Sequence, residues 1–142
     1  MEAAVAALGV DANGKVLIDQ VALHIMAGAA VVLLVAGVAY SIIPWWRPVT
    51  RIVVIAAFGF ASGVVAGAAK ELYDSHRPAT NTVDWRGDFM RTVAGSAMAA
   101  VFVVGTAAAA RAVSIRPTTA AIFWIVSGAI IGRPVLLNLI RP

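Results

Sequence analysis

The sequence contains no cysteine, which removes disulfide staples and thiolate metal ligands. It is also poor in charge: Asp, Glu, Lys and Arg make up 13% of the chain, against about 25% in an ordinary soluble domain. There are two histidines, His24 and His76, and no His-Glu-x-x-His element. That excludes the usual zinc-hydrolase pattern and leaves only a mixed His–carboxylate set as a route to a metal. No internal repeat and no soluble domain stand out. The opening Met1–Val10 run lacks a basic leader and reads as a short interfacial or frayed segment rather than a signal peptide.

What the chain has instead is apolar surface. Hydrophobic residues account for 61% of its 142 positions, and its mean hydropathy is +0.90. Water is the wrong solvent for most of such a chain, so the expected class is a single integral membrane domain over residues 1–142. Val21 to Ile43 is an apolar run of 23 residues with no Asp, Glu, Lys or Arg and a single histidine, His24. At about 1.5 Å per residue it is long enough for a hydrocarbon core of about 30 Å. Pro44-Trp-Trp-Arg-Pro48 ends it with helix breakers, interfacial tryptophans (Trp45, Trp46) and an anchoring Arg47. Further apolar runs follow at Ile52–Ala69, Thr92–Ala110 and Thr118–Gly132. The expected fold is therefore all-α, a polytopic transmembrane bundle of four helices at about 15–43, 52–74, 88–110 and 118–140. The fourth is expected to be kinked or shortened at Arg133-Pro134.

The net charge of +4 is mostly arginine placed between the apolar runs, as headgroup anchors are, and points to no nucleic acid. Alternating crossings put both termini and the 75–91 connection on one side. The short loops 44–51 and 111–117 hold Arg47, Arg51, Arg111 and Arg116 without an acid. By the positive-inside rule this places them in the cytoplasm and the termini outside.

Gly59, Gly63 and Gly67 recur every fourth residue, and Glu71 and Asp74 follow at helical spacing. On a helix the three glycines form one groove for close packing, and that groove runs into two carboxylates. Gly95, and Gly128 with Gly132, provide similar packing surfaces on the later helices. Topology brings His24, near the start of the first helix, to the level of Lys70, Glu71 and Asp74 at the end of the second. Asp88, at the head of the third, joins them. Ionisable groups at that depth are costly against lipid and are expected to face inward and pair. These five are the candidate binding cluster. Each also has an ordinary role: His24 can bond a backbone carbonyl or a carboxylate, Lys70, Glu71 and Asp74 can form an interfacial salt-bridge cluster, and Asp88 is placed to cap or complement the N-terminus of the third helix.

Asp19-Gln-Val-Ala-Leu-His24 resembles the Asp-Lys-x-x-x-His opening of VanZ-like membrane proteins and the related small YfiM type, with Gln20 in place of the Lys. Lys70-Glu-Leu-Tyr-Asp74 resembles the Lys-Glu-x-x-Asp element of the YfiM type. Asp88 followed by Gly95 is similar to the third element, with Thr92 where Asn or Asp is usual. The resemblance covers about residues 15–105 and implies a bacterial inner-membrane protein with this helix arrangement and a polar cluster. Lys70, six residues on Arg77-Pro78, matches the first motif of type-2 phosphatidic acid phosphatases. No histidine follows Pro78, so the nucleophile of that family is missing.

The expected function is a structural or partner-binding subunit of a membrane assembly, in contact with lipid and with other subunits or copies of itself. No nucleophile–base pair argues for catalysis, and no cofactor is called for. The alternative is a VanZ-like enzyme or binding protein for a lipid-linked or amphiphilic ligand, its carboxylates holding a divalent cation such as Mg²⁺ through phosphate oxygens. A phage holin-type pore is the third reading.

Overall fold

The structure, a computed structural model, describes residues 20–43, 48–76 and 85–140. It contains helices α1 (Gln20–Ile42), α2 (Pro48–Ser75), α3 (Trp85–Ala112) and α4 (Pro117–Ile140), and no strand among the described residues. All four are long and apolar enough to cross a membrane. The chain is an all-α transmembrane bundle, the architecture in which a segment satisfies its own backbone polar groups without water. Lys15, Asp19, Trp45, Trp46 and Arg47 lie outside the described residues.

Local chemistry sets the helix ends. Pro48 and Pro117 open α2 and α4, where the missing N–H costs nothing and the fixed φ suits the first turn. The end of α3 is closed by Ser114 at φ 57°. The Ile115 N–H donates to the Ala110 carbonyl at 2.8 Å and the Ser114 N–H to the Arg111 carbonyl at 3.1 Å. This is a Schellman closure with serine in the place glycine usually takes. The expected shortening of the fourth helix does not occur: α4 runs through Pro134 to Ile140. A proline is tolerated in a transmembrane helix because neighbouring groups and small local adjustments compensate for the lost bond.

The bundle is not a symmetric square. α1 touches all three other helices, α2 also packs on α3, and α3 meets α4 through a small contact; α2 and α4 do not touch. Contact faces are made of small residues, since lipid is as apolar as leucine and close van der Waals packing has to supply the attraction. α2 buries Ile52, Ile55, Ala56, Gly59, Gly63, Gly67 and Glu71. A Cβ on Gly59 would sit 3.2 Å from the Val32 carbonyl. One on Gly67 would sit 2.8 Å from Cγ2 of Thr92, and one on Gly63 would overlap the Ser96 hydroxyl. The α1–α3 seam is closer still: a Cβ on Gly28 would overlap the Thr92 carbonyl, and one on Gly95 the Ile25 carbonyl. α4 presses on α1 through Gly128 and Gly132, and a Cβ on Gly132 would lie 3.3 Å from that of Ala30. Large side chains such as Val65, Val101, Phe102 and Ile130 point outward, where lipid receives them.

At the end of the bundle that carries the α1–α2 and α3–α4 connections, Trp124 is fully buried. Its ring lies 5.1 Å from that of Tyr40, and its Nε1–H donates to Thr106 Oγ1 at 2.8 Å. The Arg51 guanidinium stacks 3.9 Å from the Tyr40 ring centroid and donates to the Tyr40 carbonyl. α3 and α4 meet at this aromatic plug and where the Phe102 and Phe123 rings lie 6.1 Å apart.

Glycines in contact and glycines in lipid should therefore behave differently. Gly95→Ala forces a methyl onto backbone that cannot rotate away, and should cost about 1–3 kcal/mol, the usual range for overpacking. Gly105 has nothing within 4 Å of its added Cβ, so Gly105→Ala should be neutral or stabilise by up to about 1 kcal/mol through helix propensity. Thermal unfolding in detergent measures both; equal effects would contradict the assigned seam.

Candidate functional site

Helix direction decides which polar groups can meet. α1 and α3 run parallel and α2 runs against them, so the start of α1, the end of α2 and the start of α3 share one membrane level. His24, Glu71 and Asp88 are each on the buried stripe of their helix there, with exposures of 5%, 8% and 5%. His24 Nε2 lies 3.8 Å from Glu71 Oε1 and 3.6 Å from Asp88 Oδ2. One ligand-type atom from each of the three falls within 4.8 Å of the others.

Cations flank both carboxylates. Lys70 Nζ donates to Glu71 Oε1 at 3.1 Å and to Asp74 Oδ2 at 2.7 Å. Arg91 Nη1 donates to Asp88 Oδ1 at 2.6 Å. The result is a chain of charge: Asp74, Lys70, Glu71, His24, Asp88, Arg91. Three carboxylates against two cations leave one negative charge when His24 is neutral. Behind the cluster, Thr92 and Ser96 are buried on α3. Thr92 Oγ1 donates to the Asp88 carbonyl at 3.1 Å and Ser96 Oγ to the Thr92 carbonyl at 2.8 Å. Both hydroxyls are thus committed to their own helix, and neither is set beside a base as a nucleophile would be.

The five residues singled out in the sequence do assemble, but not as equals. His24, Glu71 and Asp88 form the buried centre. Lys70 joins it from the rim, and Asp74 stays outside as the second partner of Lys70, with a side chain 33% exposed. Of the two roles expected for Asp88, capping α3 or complementing its N-terminus, the second holds: it is an acidic residue of the first turn rather than the cap. α3 begins at Trp85, which places Asp88 within the first helical turn with its carboxylate directed at His24 and Arg91. Two participants, Arg91 and Ser96, are not expected from the sequence, while Thr92 lies on the Asp88 face as its spacing implies. Arg91 could have been found from its i,i+3 spacing to Asp88. Thr92 and Ser96 continue the Asp88 stripe at intervals of four, and give the glycines of α1 and α2 a surface to meet.

Beside the cluster a cleft of about 470 Å³ enters the bundle. It exists because α2 and α4 do not touch. Ala27 and Val31 of α1, Ala66 of α2 and Val135 and Leu136 of α4 form its apolar walls, and His24 and Lys70 stand at its polar end.

No family model matches the chain, and no curated protein or solved structure matches it significantly.

Groups this close and this buried should be energetically coupled. A double-mutant cycle with His24→Leu and Asp88→Asn should give an interaction energy of about 0.5–3 kcal/mol, whereas His24→Leu combined with a substitution at exposed Arg133 should be additive within about 0.5 kcal/mol. Unfolding in detergent measures both; additivity at His24 and Asp88 would mean that they do not interact.

Proposed function

We propose that the protein binds a bilayer amphiphile, one hydrocarbon chain lying in the cleft and the headgroup oxygens meeting Lys70 and His24. The observation that carries this reading is the cleft itself, apolar along its walls and polar at one end. Its volume of about 470 Å³ is within the span of roughly 300–1,000 Å³ of small-molecule sites. On α1 it extends from Leu23 and His24 to Leu34, about 15 Å at the helical rise. That is half of a hydrocarbon core of about 30 Å, the depth of one leaflet. The polar end is level with the rim of the bundle, where a headgroup sits. The cleft lies where α2 and α4 do not touch, so a lipid-borne ligand would enter between them without leaving the bilayer.

A non-catalytic subunit in which the same cluster only locks three helices together is the second reading. It is favoured by one observation: Lys70 and Arg91 already occupy the carboxylates. For docking a partner, however, Gly59, Gly63, Gly67, Gly95, Gly128 and Gly132 offer little, since each faces another helix of the same chain. A pore through the bundle has less support, because Val32, Ser96 and Val103 at its centre are fully buried. The setting that accords with the resemblance to VanZ-like proteins is the bacterial inner membrane. With both termini outside the cytoplasm, the cluster would face the outer leaflet.

A phospholipid carrying a photoactivatable acyl chain tests the proposal. It should label Val31, Leu34 and Leu136 in preference to Val101 and Phe102 on the outer face of α3, which are exposed but remote from the cleft. Ala27→Trp, which fills the cleft, should abolish the preference while leaving the outer labelling unchanged. Uniform labelling of all lipid-facing positions would reject a specific site.

A further inference from the structure

We infer that His24, Glu71 and Asp88 form a binding site for a single divalent transition-metal ion of the zinc type. The inference stands on the three side chains and does not depend on what fills the cleft. Each comes from a different helix, each is more than nine-tenths buried, and their ligand-type atoms converge within 4.8 Å. Metal–ligand bonds of about 2.0–2.1 Å in a tetrahedral site put neighbouring ligand atoms about 3.3 Å apart. The separations of 3.6 and 3.8 Å from His24 Nε2 are a few tenths of an ångström longer, which side-chain rotation can close. Three protein ligands leave a fourth position for water or for a ligand oxygen arriving through the cleft, which His24 also lines.

The donor set selects the metal. An imidazole nitrogen with two carboxylates suits zinc, cobalt, iron or manganese; magnesium and calcium prefer oxygen alone. The Mg²⁺ considered from the sequence is therefore the poorer match.

The flanking cations fit around such an ion. Lys70 is closer to Asp74, at 2.7 Å, than to Glu71, at 3.1 Å, so it can release Glu71 and keep a partner. Arg91 holds Asp88 Oδ1 while Oδ2 faces His24. The Asp88 carboxylate can thus bridge guanidinium and metal, as outer partners of ligating carboxylates do. The ion would also offset the surplus negative charge of the cluster.

The test is titration of the chelator-stripped protein in detergent with Co²⁺, whose visible absorption reports coordination, followed by displacement with Zn²⁺. One equivalent of Co²⁺ should give the absorption bands of a four-coordinate ion, and one of Zn²⁺ should remove them. His24→Leu and Asp88→Asn should abolish the bands. Arg91→Gln should weaken affinity by about 10–100-fold, as loss of an outer partner does. Lys70→Gln should strengthen binding, because it removes a cation that competes for Glu71. That gain is a result mere damage to the fold would not give, and helical circular dichroism checks the fold of every variant. Absence of bands in the wild-type protein, or bands that survive His24→Leu, would overturn the inference, as would weaker binding by a folded Lys70→Gln protein.

Discussion

The close approach of α1 and α3 is the constraint from which the rest follows. Backbone meets backbone at Gly28 and Gly95, and neither position tolerates a side chain. The approach brings the second turn of α1 against the first turn of α3, carrying His24 to within 3.6 Å of Asp88. α2 then lies in the groove between them, with Gly59 and Gly63 against Val32 and Gly67 against Thr92, and delivers Glu71 to the same point. Small residues in the middle of the membrane thus position large polar ones at its edge. Separate the helices by one methyl group and the cluster loses its geometry.

Placing such a cluster at the bundle rim is physically affordable only because its members answer one another. A lone carboxylate facing hydrocarbon costs several kcal/mol; here each buried acid has a cation of its own helix and an imidazole of another. Lys70 and Arg91 are more than a third exposed, so their charged ends remain near the headgroups while their partners are buried. Exposed ion pairs contribute little, and breaking a buried one is expensive. The stabilising weight of the network therefore falls at His24, Glu71 and Asp88 rather than at Lys70 and Asp74.

Much of this was legible in the sequence. Four apolar runs gave four helices, and the spacing of Gly59, Gly63, Gly67 and Glu71 gave the inner face of α2 down to the buried carboxylate at its end. The level shared by His24, Glu71 and Asp88 follows from alternating crossings alone. What was not legible depends on neighbours. Helix starts moved outward, to Pro48 and Trp85, because polar residues near a membrane end can be helical without being apolar. That shift puts Asp88 in the first turn, where it complements the helix N-terminus instead of capping it. At Pro134 the sequence leaves a kinked span and a shortened helix equally open, because propensity disfavours proline in a helix; packing against α1 sustains α4 through it to Ile140. Trp124 had no periodic signature separating core from lipid; its burial follows from contacts with Tyr40 and Thr106 on two other helices.

The cleft was the least readable feature, since no residue pattern announces a missing contact. It arises from how small residues are shared out. The small surface of α4 is used up on α1, where Gly37 meets Ala121 and Ile125, and Gly128 meets Ala30 and Leu34. The glycines of α2 are used up on α1 and α3. Both helices pack on the flanks of α1, and they do not touch each other. Between them small residues such as Ala27 and Ala66 line the gap without filling it. The same allocation that tightens the α1–α3 seam around His24 thus leaves an apolar opening beside it, and polar cluster and cleft are two consequences of one packing arrangement.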